Sequence, residues 1–153
     1  MTTTSKVGLD KGFRSGLEEI NADFLKRQDH TVQYEFFKLV YTKPAKPSKY
    51  TPDFPLLNCI VVETKGRFVT ADRQKHILIK QQHPGLDLRF VFDNPKQRIS
   101  KTSKTTYAMW CEKNGFKFAK KLIPQEWLSE PAHPAAVQAF YKAFGSLPKD
   151  YKE

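Results

Sequence analysis

Cysteine is scarce in this chain. Cys59 and Cys111 are the only two in 153 residues, and they show neither a C-x-x-C pair nor a Cys/His spacing suited to zinc. Two thiols cannot build a disulfide framework, so the expected compartment is reducing and cytoplasmic. Long apolar runs are also lacking. The strongest, around Cys59 to Val62, is far shorter than the roughly 20 residues a spanning helix needs. The opening MTTTSKVGLDK has no apolar core of the kind a secretory leader carries. No basic amphipathic stretch with a Trp-rich face is present, which disfavours a membrane surface as partner. Neither an internal repeat nor a low-complexity tract is found.

Acid is in short supply too. Asp plus Glu number 16 against 26 Lys plus Arg, a formal net charge of +10. The surplus is uneven. Between Asn94 and Lys121 eight bases (Lys96, Arg98, Lys101, Lys104, Lys113, Lys117, Lys120, Lys121) stand against one acid, Glu112. Such a balance favours a polyanionic partner, nucleic acid first. What the chain does have is core-forming bulk. Its length suits one ordinary domain, and twelve Phe help to fill it.

The organisation reads as a loose arm over residues 1–11, a main domain over 12–130, and a helical tail over 131–153. Ser15 to Glu18 spells a capping box that starts a helix, with Phe13, Leu17, Ile20 and Phe24 on one face. Val32 to Tyr41 is aromatic and β-branched and reads as a strand. Residues 42–49 carry Pro44 and Pro47 and no glycine. They make a poor tight turn and a good stiff bridge; a long loop back onto the same subunit is the other reading. Asp53–Leu57 and Ile60–Lys65 read as strands joined at Asn58-Cys59. Thr70 caps a helix through about Gln82, which His83-Pro84-Gly85 ends. Leu86–Phe92 is a strand and residues 93–104 a basic loop. Thr105 or Thr106 caps a helix that Gly115 stops. Pro124 opens a short helical turn, and Ala135–Phe144 is a last helix closed by Gly145. The fold class is α/β, a central mixed sheet flanked by helices.

One window carries chemistry: Pro52-Asp53, then nine residues on, Glu63-Thr64-Lys65. Positions two apart on a strand share a face, so Glu63 and Lys65 project side by side, and Asp53 comes from the neighbouring strand. Two close carboxylates repel each other, and a hard divalent cation relieves that repulsion. An adjacent lysine can orient or deprotonate water, or stabilise charge on an attacked phosphate. The plainer reading is a surface hairpin with a Glu–Lys pair on its wet face. Ile60, Val61 and Val62 argue against it, because they put the pair at the end of a buried strand.

Register matters here. A strict two-residue turn at Asn58-Cys59 sets Asp53 opposite Thr64, facing away from Glu63. A shared site needs Asp53 opposite Glu63, which predicts an odd-length loop, a bulge or a bent strand start. Glu18 has two readings: the glutamate of the capping box, or a third carboxylate beside a metal, with Glu19 as its rival.

The stretches FRSGLE (13–18), YTPDF (50–54), VETKG (62–66), DRQKH with the following QHP, CEKNG and KFAKKLIPQEW (117–127) resemble the phage endonuclease I family of T-seven-type phages, within the PD-(D/E)xK nucleases. The resemblance runs from about Gly12 to Leu128; the tail beyond Glu130 carries no match to it. It implies a restriction-endonuclease-like fold in an intertwined, segment-swapped homodimer bridged at 42–49. It implies a catalytic set of Glu18, Asp53, Glu63 and Lys65. Asp53, Glu63 and the Thr64 carbonyl would bind Mg2+, with Mn2+ able to substitute. The implied activity is paired nicking of four-way (Holliday) junctions and other branched DNA in phage replication, recombination and host DNA breakdown, in the cytoplasm of an infected bacterium. Candidate DNA contacts are Arg14, Arg67, Arg73, Lys75, His76, Lys80, Lys101 and Lys104. The rival readings are a non-catalytic basic DNA-binding module and a related nuclease preferring linear duplex.

Overall fold

The computed structural model describes residues 15–43 and 46–151. The arm at 1–11, Phe13 and Arg14 therefore lie outside the described residues. The first helix, α1 (Gly16–Arg27), starts as the capping box requires: the Ser15 hydroxyl accepts from the Glu18 amide at 3.2 Å. Its buried face is not the expected one. Ile20 is 46 % exposed, whereas Glu18, Glu19, Asn21, Ala22 and Leu25 are buried. Tertiary packing decides this rotation. Ala22 and Leu25 join an apolar cluster with Phe54, Val62 and Val91. Asn21 satisfies three main-chain groups, donating to the carbonyls of Leu17 and Lys121 and accepting from the Ile123 amide. Glu18 is thereby carried inward.

The expected strand over 32–41 is mostly absent. A turn at Tyr34-Glu35, with Glu35 at φ 50°, replaces its first half. Pairing begins only at β1 (Leu39–Lys43), antiparallel to β2 (Lys46–Tyr50), from Leu39 opposite Tyr50 to Lys43 opposite Lys46. Residues 42–49 thus belong largely to this strand pair, and their connection at 44–45 lies outside the described residues.

A separate mixed sheet has the order β3 (Phe54–Pro55), β4 (Val61–Lys65), β5 (Leu88–Phe92) and β6 (Phe118–Lys120). The first pair is antiparallel and the other two parallel. The helix α2 (Thr70–Gln82) links β4 to β5, and α3 (Tyr107–Asn114) lies between β5 and β6. Strands β4 and β5 are buried almost throughout, as parallel strands covered on both faces are. Alternation sends Val61, Phe90 and Phe92 to one apolar cluster and Val62 and Val91 to the other. Sequence reasoning missed β6, a three-residue, half-exposed edge inside KFAKK. Val69, not Thr70, is the N-cap of α2; Thr106 caps α3 and Gly115 ends it in the left-handed region. The short α4 (Gln125–Ser129) and the tail helix α5 (Pro134–Phe144) follow, α5 closed by Gly145.

The β3–β4 connection is the odd-length loop that a shared site needs. Leu56 donates to the Ile60 carbonyl at 2.7 Å, leaving Leu57, Asn58 and Cys59 as a three-residue loop with Cys59 at φ 70°. A non-glycine residue there costs about 1 kcal/mol, and tertiary contact holds the loop in place. The Asn58 amide donates to the Trp127 and Glu130 carbonyls at 2.7 and 3.0 Å. Phe54 then pairs with Val62, and the next step of that register sets Asp53 opposite Glu63. Pro55 sits where its missing N–H is tolerated, on the edge strand.

Candidate active site

Asp53 and Glu63 meet at the open end of the β3–β4 pair, and both are buried. The Thr64 amide and hydroxyl donate to Asp53 Oδ2 at 3.0 and 2.7 Å. The Asp53 amide and the Tyr50 hydroxyl donate to Glu63 Oε1 at 3.3 and 2.7 Å. Burial, reinforced by the Asp53 charge, pushes the Glu63 carboxyl up to about 8; Lys65, the Tyr50 hydrogen bond and Lys75 oppose the rise. Lys65 Nζ lies 3.5 Å from Glu63 Oε2 and 3.4 Å from Asp72. Burial works against its charged form, but Glu63, Asp72 and Asp53 outweigh it and hold the ammonium above its ordinary range.

The α1 helix completes the group. Carboxylate oxygens of Glu18, Glu35 and Asp53 all lie within 4.8 Å of one another. Ser15 Oγ donates to Glu18 Oε1 at 3.0 Å, and the Tyr34 hydroxyl to Oε2. Glu18 is therefore both tied to the N-cap serine hydroxyl and a member of the acidic cluster. Glu19, its rival, is buried but is not part of that cluster. The Glu35 amide donates to the Asp53 carbonyl at 3.0 Å, which draws the Tyr34-Glu35 turn over the site. Hard oxygen donors converging from α1, this turn and the residue just before β3 fit a divalent cation.

Sequence reasoning missed Tyr34, Glu35, Tyr50 and Asp72. Glu35 was hidden by the strand reading of 32–41. Tyr50 stands inside the YTPDF stretch, so its position beside Asp53 was the available signal.

The basic candidates divide. Arg67, Lys101 and Lys104 are exposed, and Arg67 and Lys101 line one cavity of about 340 Å3 with Arg98. Lys75 is half-buried, its ammonium 5.3 Å above the Tyr50 ring, and with Lys43 and Lys49 it lines a cleft of about 690 Å3 that also reaches Asp72. Lys80 donates to the Gly115 carbonyl at 3.1 Å and lies over the Phe116 ring. His76 and Arg73 need correcting as phosphate contacts. His76 is fully buried among Tyr50, Phe68 and Phe90, and burial lowers its pKa to about 3. Arg73 is buried, its guanidinium taken by the Phe68 carbonyl and the Thr70 hydroxyl. The inward side of α2 is core, so neither side chain can reach a duplex.

The chain as a whole is similar to known proteins. Endonuclease I of Escherichia phage T7 is 49% identical over 126 residues, covering 82% of this chain and 83% of that protein. Endodeoxyribonuclease 1 of Enterobacteria phage T3 is 45% identical over 121 residues, covering 79% and 80%. The family model described as phage endonuclease I matches residues 1–145. A match over nearly the whole chain, with two relatives this similar, establishes that the chain belongs to the phage endonuclease I family.

Proposed function

We propose that this chain is a metal-dependent, structure-selective endodeoxyribonuclease that resolves four-way junctions and other branched DNA by paired nicks. The observation that carries the reading is the convergence of Glu18, Glu35 and Asp53 within 4.8 Å, beside a Glu63–Lys65 pair, in a chain of net charge +10. Asp53, Glu63 and the Thr64 carbonyl would hold Mg2+, or Mn2+ in its place, and Glu18 would complete the acidic site. When bound, the cation supplies Lewis-acid stabilisation of the attacked phosphate and a more acidic water. Lys65, kept charged by its carboxylate neighbours, orients the attacking water by hydrogen bonding and offsets charge on the phosphate. Tyr34 and Ser15 hold Glu18, and Thr64 holds Asp53, so these acids need no rearrangement when DNA arrives.

The working form is a homodimer of restriction-endonuclease-like protomers that exchange segments at 42–49. The sequence of that connection supports exchange. The favoured two-residue hairpin turns, types I′ and II′, need φ > 0 at their first central residue, whereas proline holds φ near −65°. The same β1–β2 pairing made between two chains avoids that conflict. Glu18 would then enter the partner's site. Exposed cations at Arg67, Lys101 and Lys104 contact phosphates and select branched DNA by shape rather than by base. The enzyme works in the cytoplasm of an infected bacterium, on replication intermediates and host DNA.

The test compares a four-way junction with its component duplex arms in Mg2+, with and without chelator. Chelator-sensitive symmetric nicking of the junction is expected. Binding without cutting would identify a DNA-binding module; equal cutting of the arms would identify a nuclease for linear duplex.

A further inference from the structure

Glu63 offers two oxygens, and the fold treats them differently. Oε1 receives two donors, the Tyr50 hydroxyl at 2.7 Å and the Asp53 amide at 3.3 Å. Oε2 faces Lys65 at 3.5 Å. Tyr50 is itself closely held. It is 2 % exposed at the end of β2, opposite Leu39. The edge of its ring meets the His76 ring at 5.2 Å and 81°, and the Lys75 ammonium sits 5.3 Å over its face. His76 is anchored in turn by Nδ1, 2.8 Å from the Asp72 carbonyl. Asp72 is also the second carboxylate partner of Lys65. A phenol buried in this way has little freedom to leave Glu63.

We infer that Tyr50 is a positioning residue: its hydroxyl saturates Oε1 of Glu63 and so fixes the carboxylate with Oε2 turned toward Lys65, as the oxygen that would hold a cation. This rests on the metal-dependent reading above and assigns it a residue outside the acid–lysine set. Groups that hold a ligating carboxylate from behind fix its orientation, and their loss weakens metal binding by about ten- to a hundredfold. Tyr50 is also the last residue of β2, directly after the 42–49 segment. Through it, the placement of the β1–β2 pair is felt at Glu63.

The experiment removes the hydroxyl and keeps the ring. In Tyr50→Phe, Mn2+ binding to the full-length protein, followed by calorimetry and by the signal of free Mn2+ in electron paramagnetic resonance, should weaken about tenfold. The Mg2+ concentration giving half-maximal cleavage should rise by a similar factor, with the rate recovering at saturating Mg2+. Junction binding without metal should not change. A purely structural role for Tyr50 would lower the thermal midpoint and leave metal affinity alone. Mn2+ affinity and Mg2+ midpoint within about twofold of wild type overturn the inference. Glu63→Gln separates the two levels. If it loses Mn2+ while Tyr50→Phe does not, only the role of Tyr50 falls; if neither loses Mn2+, the metal reading of the site falls as well. Should Tyr50→Phe not fold, 3-fluorotyrosine at position 50 changes the strength of the hydrogen bond at nearly constant volume. An altered Mn2+ affinity then supports the inference, and an unaltered one overturns it.

Discussion

The amide of Asp53 donates to the carboxylate of Glu63 at 3.3 Å, while Asp53's own Oδ2 is held by Thr64. Each acid of the site is thus anchored by groups beside the other, and neither can swing away alone. Glu63→Ala removes one acid and leaves the exposed cations in place. Cleavage of a four-way junction should fall by more than about a hundredfold, beyond what outer partners of a metal ligand cost. Junction affinity in gel shift should be retained. A variant cutting at the wild-type rate would place the chemistry elsewhere.

Glu63 also predicts a pH dependence. Its carboxyl titrates near 8 in the metal-free fold and near 4.5 when unfolded. Between those values the folded state binds the extra proton, so this group lowers stability as pH rises from about 4.5 to about 8 and no further above that. A divalent cation held by Glu63 would displace the proton and reverse the loss. The rise in thermal midpoint on adding Mg2+ should therefore grow from pH 6 to pH 8 and then level off. A Mg2+ shift independent of pH would show that Glu63 is ionised without metal.

The loop that sets the register should be sensitive to Asn58. Asn58→Ala removes the donors to the Trp127 and Glu130 carbonyls and the acceptor for the Ile60 amide. A loss of about 2 kcal/mol is expected, a fall in thermal midpoint of about 4–8 °C. Circular dichroism melting measures it. Cleavage should fall with it, because Asp53 depends on that loop to face Glu63.

The corrected basic set makes a contrasting prediction. Arg67→Ala and Lys101→Ala should each weaken DNA binding and reduce the slope of log affinity against log salt by about one. His76→Phe should leave that slope unchanged, since its ring lies wholly in the core. A reduced slope in His76→Phe would return it to the interface.

Oligomeric state tests the connection at 44–45. Replacing Pro44-Ala45 with Asn-Gly supplies the positive φ that a type I′ turn requires. The hairpin should then close within one chain, and light scattering should show a shift from dimer toward monomer. A variant that stays fully dimeric would show that Pro44 does not drive exchange.

Local chemistry made much of this fold legible in the sequence. Ser15 could be read as a cap, the α3 cap narrowed to Thr105 or Thr106, and Gly115 and Gly145 read as stops, because each acts within one helical turn of itself. The buried strand before Glu63 and the need for an odd loop followed from period-two alternation alone. The acids proposed as catalytic were picked out by motif. What eluded the sequence was everything set by distant contacts. The inward face of α1 was chosen by Asn21 meeting residues 121 and 123. The burial of His76 and Arg73 came from the packing of α2, and β6 from pairing with β5. Glu35 and Tyr50 reached the site only when a turn and a strand folded over it. Sequence specifies which groups carry the charge and which residues cap or break an element. Which side chain faces which depends on long-range packing, whose energy belongs to no single segment.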